Sequence, residues 1–195
     1  MPAAVDTRRS ILDAAQRTVA HKGWAAVGLN EVLGVAGVPK GSFYHWFGSK
    51  DAFGVAMLQS YFTGYLADMD DIFARTDRTV ATRLVEYWRG WRETQSVNDC
   101  EGRCLAVKLG AEVADLSEPM RHALEEGTGA IIDRLAAMLD AGAVDGSLPA
   151  FADVRAVARS LYGLWVGASV LAKIHRDVTP MDDALAHTLQ LLRLA

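Results

Sequence analysis

Apolar residues recur every three or four positions along most of the chain, a spacing typical of amphipathic helices. Near the start, Ile11, Ala15 and Val19 form one such stripe. No stretch alternates apolar and polar residues in the way that predicts a strand. The pattern therefore predicts an all-α chain, with helices over residues 6–22, 29–36, 39–46, from 50 onward, 79–94, 103–114, 117–141, 151–176 and 181–194.

The helix that begins at residue 50 is apolar on two faces. Phe53, Met57 and Tyr61 follow one face, and Val55, Leu58, Phe62 and Leu66 follow the other. A helix that is apolar on both faces is buried between two bodies. We therefore predict a first domain over residues 1–49 and a second over residues 50–195, joined by this helix.

Polar residues predict where several helices start and where the longest loop lies. Asp6 or Thr7, Ser49 and Ser117 stand where side-chain N-caps are expected, because a short side-chain oxygen can accept a free backbone N–H there. Residues 95–103 contain mainly polar and turn-forming types, which predicts a loop.

Residues 37–50 hold a Gly turn followed by a short helix and a Gly-Ser break. Gly37 can adopt positive φ and end the preceding helix. Phe43 and Phe47 are four apart, so both can seat the short helix on a core. Lys40, Ser42, Tyr44 and His45 are then left pointing elsewhere. Such a helix suits recognition in the DNA major groove, whereas a small aromatic core helix has no need of these polar groups.

The same region carries a family resemblance. Residues 31–50 read EVLGVAGVPKGSFYHWFGSK, preceded by Ile11, Ala15 and Gly23-Trp24. About a quarter of the chain thus resembles the DNA-binding domain of the tetracycline-repressor (TetR) family. One departure is Gly28, where the family often has a Ser or Thr cap.

The resemblance implies a three-helix helix-turn-helix domain over residues 1–49 that binds a pseudo-palindromic double-stranded DNA operator. Tyr44 and Lys50 are expected at phosphates, and Lys40, Ser42 and His45 near base edges. The full predicted DNA-binding set is Asn30, Lys40, Gly41, Ser42, Tyr44, His45 and Lys50.

Charge is distributed unevenly along the chain. The net charge of −4 argues against a protein that coats nucleic acid. Residues 1–50, however, hold six Lys and Arg against three acidic residues, so the remainder is strongly acidic. A basic end on an acidic body fits local phosphate contact, although solvated helix faces can produce the same asymmetry.

Other classes of protein lack support in the sequence. There is no run of about 18 uncharged apolar residues and no apolar leader, so we expect a cytoplasmic protein without membrane contact. No Ser-His-Asp motif, His-Glu-x-x-His pair or phosphate loop occurs, so we expect neither an enzyme nor a bound cofactor.

Cys100 and Cys104, if helical, would have Cβ atoms about 6 Å apart, too far for an unstrained disulfide. His122 and His175 are isolated candidates for metal ligation, and we expect no metal site. A constitutive DNA-architectural protein is a further alternative, but the acidic, aromatic-rich body favours one that binds a ligand or partner.

Cys104 has two interpretations. At a helix start its thiolate would be favoured by free N–H groups, while a buried, inert cysteine is the commoner case. Residues 102–121 and 164–173 resemble the electrophile-sensing branch of the TetR family, which implies that Cys104 is the sensor. Lys173 ends a very apolar helix, where a desolvated amine becomes nucleophilic and could join an oxidised cysteine. It could equally extend its amine to the surface.

The signal could instead be a reversible ligand. In that alternative the chain is a drug- or metabolite-responsive repressor without cysteine chemistry. An aromatic pocket would then bind the small-molecule effector, lined by Trp88, Trp91, Tyr162 and Trp165.

The last two predicted helices are too apolar for one small body to cover. Gly163, Gly167 and Ala172 would permit close helix approach. Pairing with a second copy would make a two-fold four-helix interface, as the resemblance also implies. The predicted homodimer interface contains Leu161, Leu164, Ala168, Leu171, Leu185 and Leu189, although a core within one chain must account for part of this surface.

Overall fold

A computed structural model of the chain describes residues 4–100 and 104–194, with side chains described over residues 7–95 and 104–194. In these ranges the backbone forms nine α-helices and no strand, which confirms the predicted all-α fold. They are α1 (Ala4–Lys22), α2 (Leu29–Ala36), α3 (Lys40–Trp46), α4 (Lys50–Phe73), α5 (Val80–Cys100), α6 (Leu105–Leu116), α7 (Glu118–Val144), α8 (Val154–His175) and α9 (Thr179–Leu191).

The loop predicted over residues 95–103 is wrong for its first part, because α5 continues to Cys100. Polar residues predict exposure rather than a helix end, and this stretch holds neither Gly nor Pro before residue 102. Residues 101–103 lie outside the described residues.

The predicted helix caps have different outcomes. The Ser49 hydroxyl accepts the backbone N–H of Ala52 at 3.0 Å, so this cap is confirmed. The buried Ser117 hydroxyl has no hydrogen-bond partner among the described residues, so its predicted capping role is wrong. α1 begins at Ala4, which places Thr7 inside the helix, while the side chain of Asp6 lies outside the described residues. A residue type suited to capping therefore does not fix the helix start unless its hydroxyl reaches a free N–H.

The chain packs as two compact units. Unit 1 comprises Met1–Gly64 and Cys104–Gly127, and unit 2 comprises Tyr65–Arg103 and Thr128–Ala195. The division falls inside α4 and α7, so these two helices contribute to both units. The domain boundary between residues 49 and 50 stays a prediction.

Unit 1 contains a core formed by α1 and an aromatic cluster. Ile11 and Val19 of α1 are fully buried, as their stripe predicts. The rings of Phe43, Phe47 and Phe53 lie 4.9 to 5.3 Å apart by their centroids. Phe43 and Phe47 thus seat the recognition helix, as predicted from their spacing.

Unit 2 is built around α5, α8 and α9. Its helices are joined by charged side chains as well as by apolar contacts: Arg134 of α7 makes a bidentate ion pair with Asp70 of α4, at 2.6 and 2.9 Å. The Arg134 guanidinium lowers the pKa of Asp70 by hydrogen bonding. At the start of α5, the Asp145 carboxylate accepts the backbone N–H of Val80 at 2.9 Å, which supplies a cap that no local pattern indicates. In the part of the chain that the structure describes, no helix is long and apolar enough to cross a bilayer.

Candidate DNA-binding and effector sites

The recognition helix α3 presents polar groups to solvent. Phe43 is buried, whereas its neighbour Tyr44 is 64% exposed and rests edge-on against the Phe43 ring at 5.4 Å. Ser42 is partly exposed. The other residues of the predicted DNA-binding set are all exposed on unit 1: Asn30, Lys40, Gly41, His45 and Lys50.

Two cations beside this surface are positioned over aromatic rings. The Lys50 ammonium lies 5.1 Å from the centroid of the Trp24 ring, and the Arg8 guanidinium lies 5.7 Å from that of Phe47. Such cation–π contacts orient long side chains without neutralising them. Lys50 is therefore held at the start of α4, close in sequence to α3. Its contact with phosphate stays a prediction.

The α1–α2 connection is held by side chains of α6. The Glu112 carboxylate accepts the backbone N–H groups of Trp24 and Ala25 at 3.1 and 2.6 Å. The Lys108 ammonium donates to the His21 carbonyl at 3.1 Å. The sequence pattern singled out neither Glu112 nor Lys108 for these contacts. Each contact spans more than 80 residues of sequence, and no local pattern reports it.

Cys104 occupies the N-cap position of α6 and is only 8% exposed. The Tyr61 hydroxyl donates to its sulfur at 3.6 Å. Burial raises the pKa of the Cys104 thiol, while the N–H groups of Val107 and Ala106 and the Tyr61 hydroxyl lower it less strongly. The expected effect of the helix start is thus present but outweighed by desolvation. The side chain of Cys100 lies outside the described residues.

The four predicted pocket aromatics lie together in unit 2. Trp88 stacks on Trp165 at 4.8 Å and 19°, and Trp91 lies 5.7 Å from Tyr162. Trp88 and Trp165 are fully buried. Trp91 donates its indole N–H to Ser169 at 3.1 Å, and Trp165 donates to Thr188 at 2.9 Å. The Trp88 Nε1 is buried without a hydrogen-bond partner among the described residues. The sequence predicts a pocket lining, and the structure places these rings in direct contact with one another.

Lys173, the predicted partner of Cys104, is half-buried on α8. It belongs to unit 2 and Cys104 to unit 1, so their pairing stays a prediction. Among the described residues, no three His, Cys, Asp or Glu side chains come close enough to hold a metal ion.

The residues predicted for a dimer interface differ in exposure. Leu161 and Ala168 are buried inside their own chain at 3% and 7% exposure. Leu164 and Leu171, on the outer face of α8, are 37% and 47% exposed. Leu185 and Leu189 of α9 are half-buried. Val170, Ile174 and Leu191 extend the exposed apolar surface, although their spacing in the sequence did not single them out.

Comparison with known proteins supplies the family. The profile described as "Tetracyclin repressor-like, C-terminal domain" matches residues 80–188, more than half of the chain. The profile "Bacterial regulatory proteins, tetR family" matches residues 11–57. The chain belongs to the TetR family. It is therefore a helix-turn-helix transcriptional regulator, with the DNA-binding helices at its N-terminus as the sequence predicts.

TetR-family relatives match almost the whole chain. The HTH-type transcriptional repressor NemR of Escherichia coli (strain K12) is 37% identical over 93% of this chain and 92% of its own. The transcriptional regulator AcuR of Cereibacter sphaeroides is 31% identical over 92% of this chain and 82% of its own. The crystal structure of the reduced form of E. coli NemR has a TM-score of 0.90 and 38% identity, covering 96% of this chain and 97% of that one.

Proposed function

We propose that this chain is a homodimeric repressor that leaves its operator when Cys104 reacts with an electrophile or an oxidant. The observation that carries the proposal is the position of Cys104, buried at the N-cap of α6 within the same compact unit as the recognition helix. Packed interiors accommodate added bulk poorly, so a modified sulfur must displace its surroundings. A displacement inside unit 1 can reach the DNA-binding surface without passing through another unit.

Two reactions would modify this sulfur. With a maleimide, the thiolate adds to the carbon–carbon double bond, an S–C bond forms, and a proton is taken up at the neighbouring carbon. With hypochlorous acid, the thiolate becomes a sulfenic acid and chloride is released. A sulfenic acid and an amine then form an S–N bond with loss of water, and Lys173 stays the predicted amine. The 38% identity to E. coli NemR, whose structure is that of a reduced form, supports a repressor that responds to oxidation.

The operator would be contacted by the exposed residues of α2, α3 and the start of α4. Tyr44 and Lys50 would bind phosphates, and Lys40, Ser42 and His45 would approach base edges. Asn30 and Gly41 complete this surface, Gly41 by letting the backbone come close to DNA. The exposed apolar face of α8 and α9 would pair two copies, so that two recognition helices reach two half-sites.

A reversible planar ligand is the second candidate signal. The observation that favours it is the buried Trp88 Nε1, which has no hydrogen-bond partner in the described part of the chain. An unpaired buried N–H is costly, and a ligand carbonyl or other acceptor would satisfy it. The neighbouring rings of Trp91, Tyr162 and Trp165 would stack on such a ligand.

The two signals separate in one experiment. The wild type, Cys104→Ser and Cys100→Ser are treated with N-ethylmaleimide or hypochlorite, and operator binding is followed by gel shift. Because the chain has two cysteines, Cys100→Ser leaves Cys104 as the sole thiol and serves as the matched control. We expect release for the wild type and Cys100→Ser and retention for Cys104→Ser. Equal release of all three would exclude Cys104 as the sensor. If no variant responds to either reagent while a planar aromatic compound releases the DNA, the aromatic cluster is the effector site.

A further inference from the structure

One face of α6 carries three functional groups at regular spacing. Cys104, Lys108 and Glu112 follow each other at four-residue intervals, so they lie along one side of the helix. The adjacent side, with Leu105, Leu109 and Val113, is buried. α6 is therefore fixed in the core of unit 1 along one side and presents a thiol, a cation and a carboxylate along the next.

Two of these groups fasten the α1–α2 connection. Glu112 accepts the backbone N–H groups of Trp24 and Ala25, neither of which has a backbone acceptor within the described residues. Lys108 donates to the carbonyl of His21, in the last turn of α1. Both contacts involve a charged partner, which makes such hydrogen bonds about twice as strong as neutral ones.

The glycine at the end of α1 fits this arrangement. Gly23 has φ of +84°, a backbone conformation that residues other than glycine rarely adopt. A Cβ at Gly23 would also lie 2.8 Å from Oε2 of Glu112, which is closer than van der Waals contact allows. The chain therefore turns here in a way that leaves room for the carboxylate.

Trp24 connects the fastened turn to the recognition helix. Its ring is 5% exposed and lies 6.1 Å from Phe53 of α4. Phe53 lies 5.1 Å from Phe43, which seats α3. Lys50 also rests on the Trp24 ring. A continuous series of packed groups within unit 1 thus runs from Glu112 through Trp24 to the helix that faces DNA.

From these contacts we infer that Glu112 is a positioning residue for operator binding and that it transmits the state of Cys104 to the recognition helix. The transmission role of Glu112 rests on the proposed function, whereas its positioning role does not. Residues 104 and 112 are about 12 Å apart along the helix axis, and a helix moves as a stiff body over that length. A displacement at the start of α6 therefore shifts the carboxylate, the Trp24 backbone and the aromatic groups beneath α3.

Glu112→Ala and Glu112→Gln test the positioning role, with Asp115→Ala as the matched control. Asp115 is exposed on the same helix, with the same charge. We expect Glu112→Ala to weaken binding of the untreated protein to its operator at least tenfold and to speed hydrogen exchange at the amides of Trp24 and Ala25. Glu112→Gln keeps one acceptor oxygen and should fall between Glu112→Ala and the wild type in both measurements. Because Gln preserves the side-chain shape, it also keeps the test informative if Glu112→Ala fails to fold. Operator affinity and amide exchange in both Glu112 variants equal to those of Asp115→Ala would overturn the positioning role.

The transmission role is read from the ratio of operator dissociation constants after and before treatment with N-ethylmaleimide. We expect this ratio to be large in the wild type and Asp115→Ala and close to one in Glu112→Ala. A purely structural role would lower affinity without changing the ratio, and a wild-type ratio in Glu112→Ala overturns transmission. If even the wild type does not respond to alkylation, the proposed sensing and the transmission both fail, while the untreated affinities and amide exchange still decide the positioning role.

Discussion

Replacing Leu171 with Arg tests the proposed homodimer interface on α8. Leu171 is 47% exposed on the outer face of α8, beside Leu164 at 37% and Ile174 at 66%. Such a row of apolar side chains on one helix face is typical of a surface covered by a partner. Ala168 is a poorer site for this test, since it is 7% exposed and an Arg there would disrupt the fold of the single chain.

The size of the effect follows from the exposure. Full burial of a Leu side chain stabilises by ~1.5–3 kcal/mol, so covering the remaining half of Leu171 contributes about 1 kcal/mol per protomer and about 2 kcal/mol per dimer. The two arginines would also place unpaired charges in the interface, which costs a further ~3 kcal/mol or more. Since 1.4 kcal/mol corresponds to tenfold, we expect the dimer dissociation constant to rise roughly 1,000-fold or more.

Sedimentation equilibrium over a range of protein concentrations measures this constant, and circular dichroism verifies that the helices are retained. Val144→Arg is the control, because Val144 is 89% exposed on α7 and lies outside the predicted interface. The Leu171→Arg monomer should also lose tight operator binding, since a single recognition helix reaches one half-site. A Leu171→Arg protein that dimerises and binds the operator as the wild type does would refute an interface on this face of α8.

Two further predictions concern the recognition surface and the helix packing. Tyr44→Ala together with Lys50→Ala should weaken operator binding in a gel shift by about 1–3 kcal/mol for each lost phosphate contact, and unchanged affinity would contradict their assignment. Gly129→Ala should stabilise α7 by ~1 kcal/mol in urea unfolding, because nothing lies within 4 Å of the added Cβ. Gly127→Ala should destabilise by ~1–3 kcal/mol, because its Cβ would lie 2.2 Å from the Phe62 ring, and equal unfolding free energies of the two variants would contradict this packing.

The local sequence pattern was sufficient to predict most of the helices and the packing of α3 on the core through Phe43 and Phe47. The spacing of Phe43 and Phe47 reports their shared face, because helical periodicity is a property of the segment itself. Gly37, with φ of +66°, ends α2 as its type predicts. The TetR resemblance added the pseudo-palindromic operator to these predictions, and it supported the homodimer that the apolar last two helices had already indicated.

Contacts between distant segments were not predictable in this way. The hydrogen bonds from the amides of Trp24 and Ala25 to Glu112 join the α1–α2 loop to α6. These two segments are distant in sequence and come together only in the folded chain. Burial of Leu161 and Ala168 inside one chain, rather than at a partner surface, likewise depends on how α8 and α9 pack. An apolar stripe indicates that a face is covered and leaves open what covers it.

Cys104 shows why local reasoning gives the sign of each effect without their balance. Burial raises the pKa of the thiol most strongly. The N–H groups of Val107 and Ala106 lower it, as a helix start predicts, and the Tyr61 hydroxyl lowers it as well. Near neutral pH the sulfur is therefore mostly a neutral thiol, which favours small reagents that can enter the packed site over charged ones. The same burial means that a sulfur once modified has little free space around it. Under the proposed function, a slow reaction at Cys104 and a large structural response would thus have one physical cause, which would suit a regulator that ignores weak electrophiles and responds fully to strong ones.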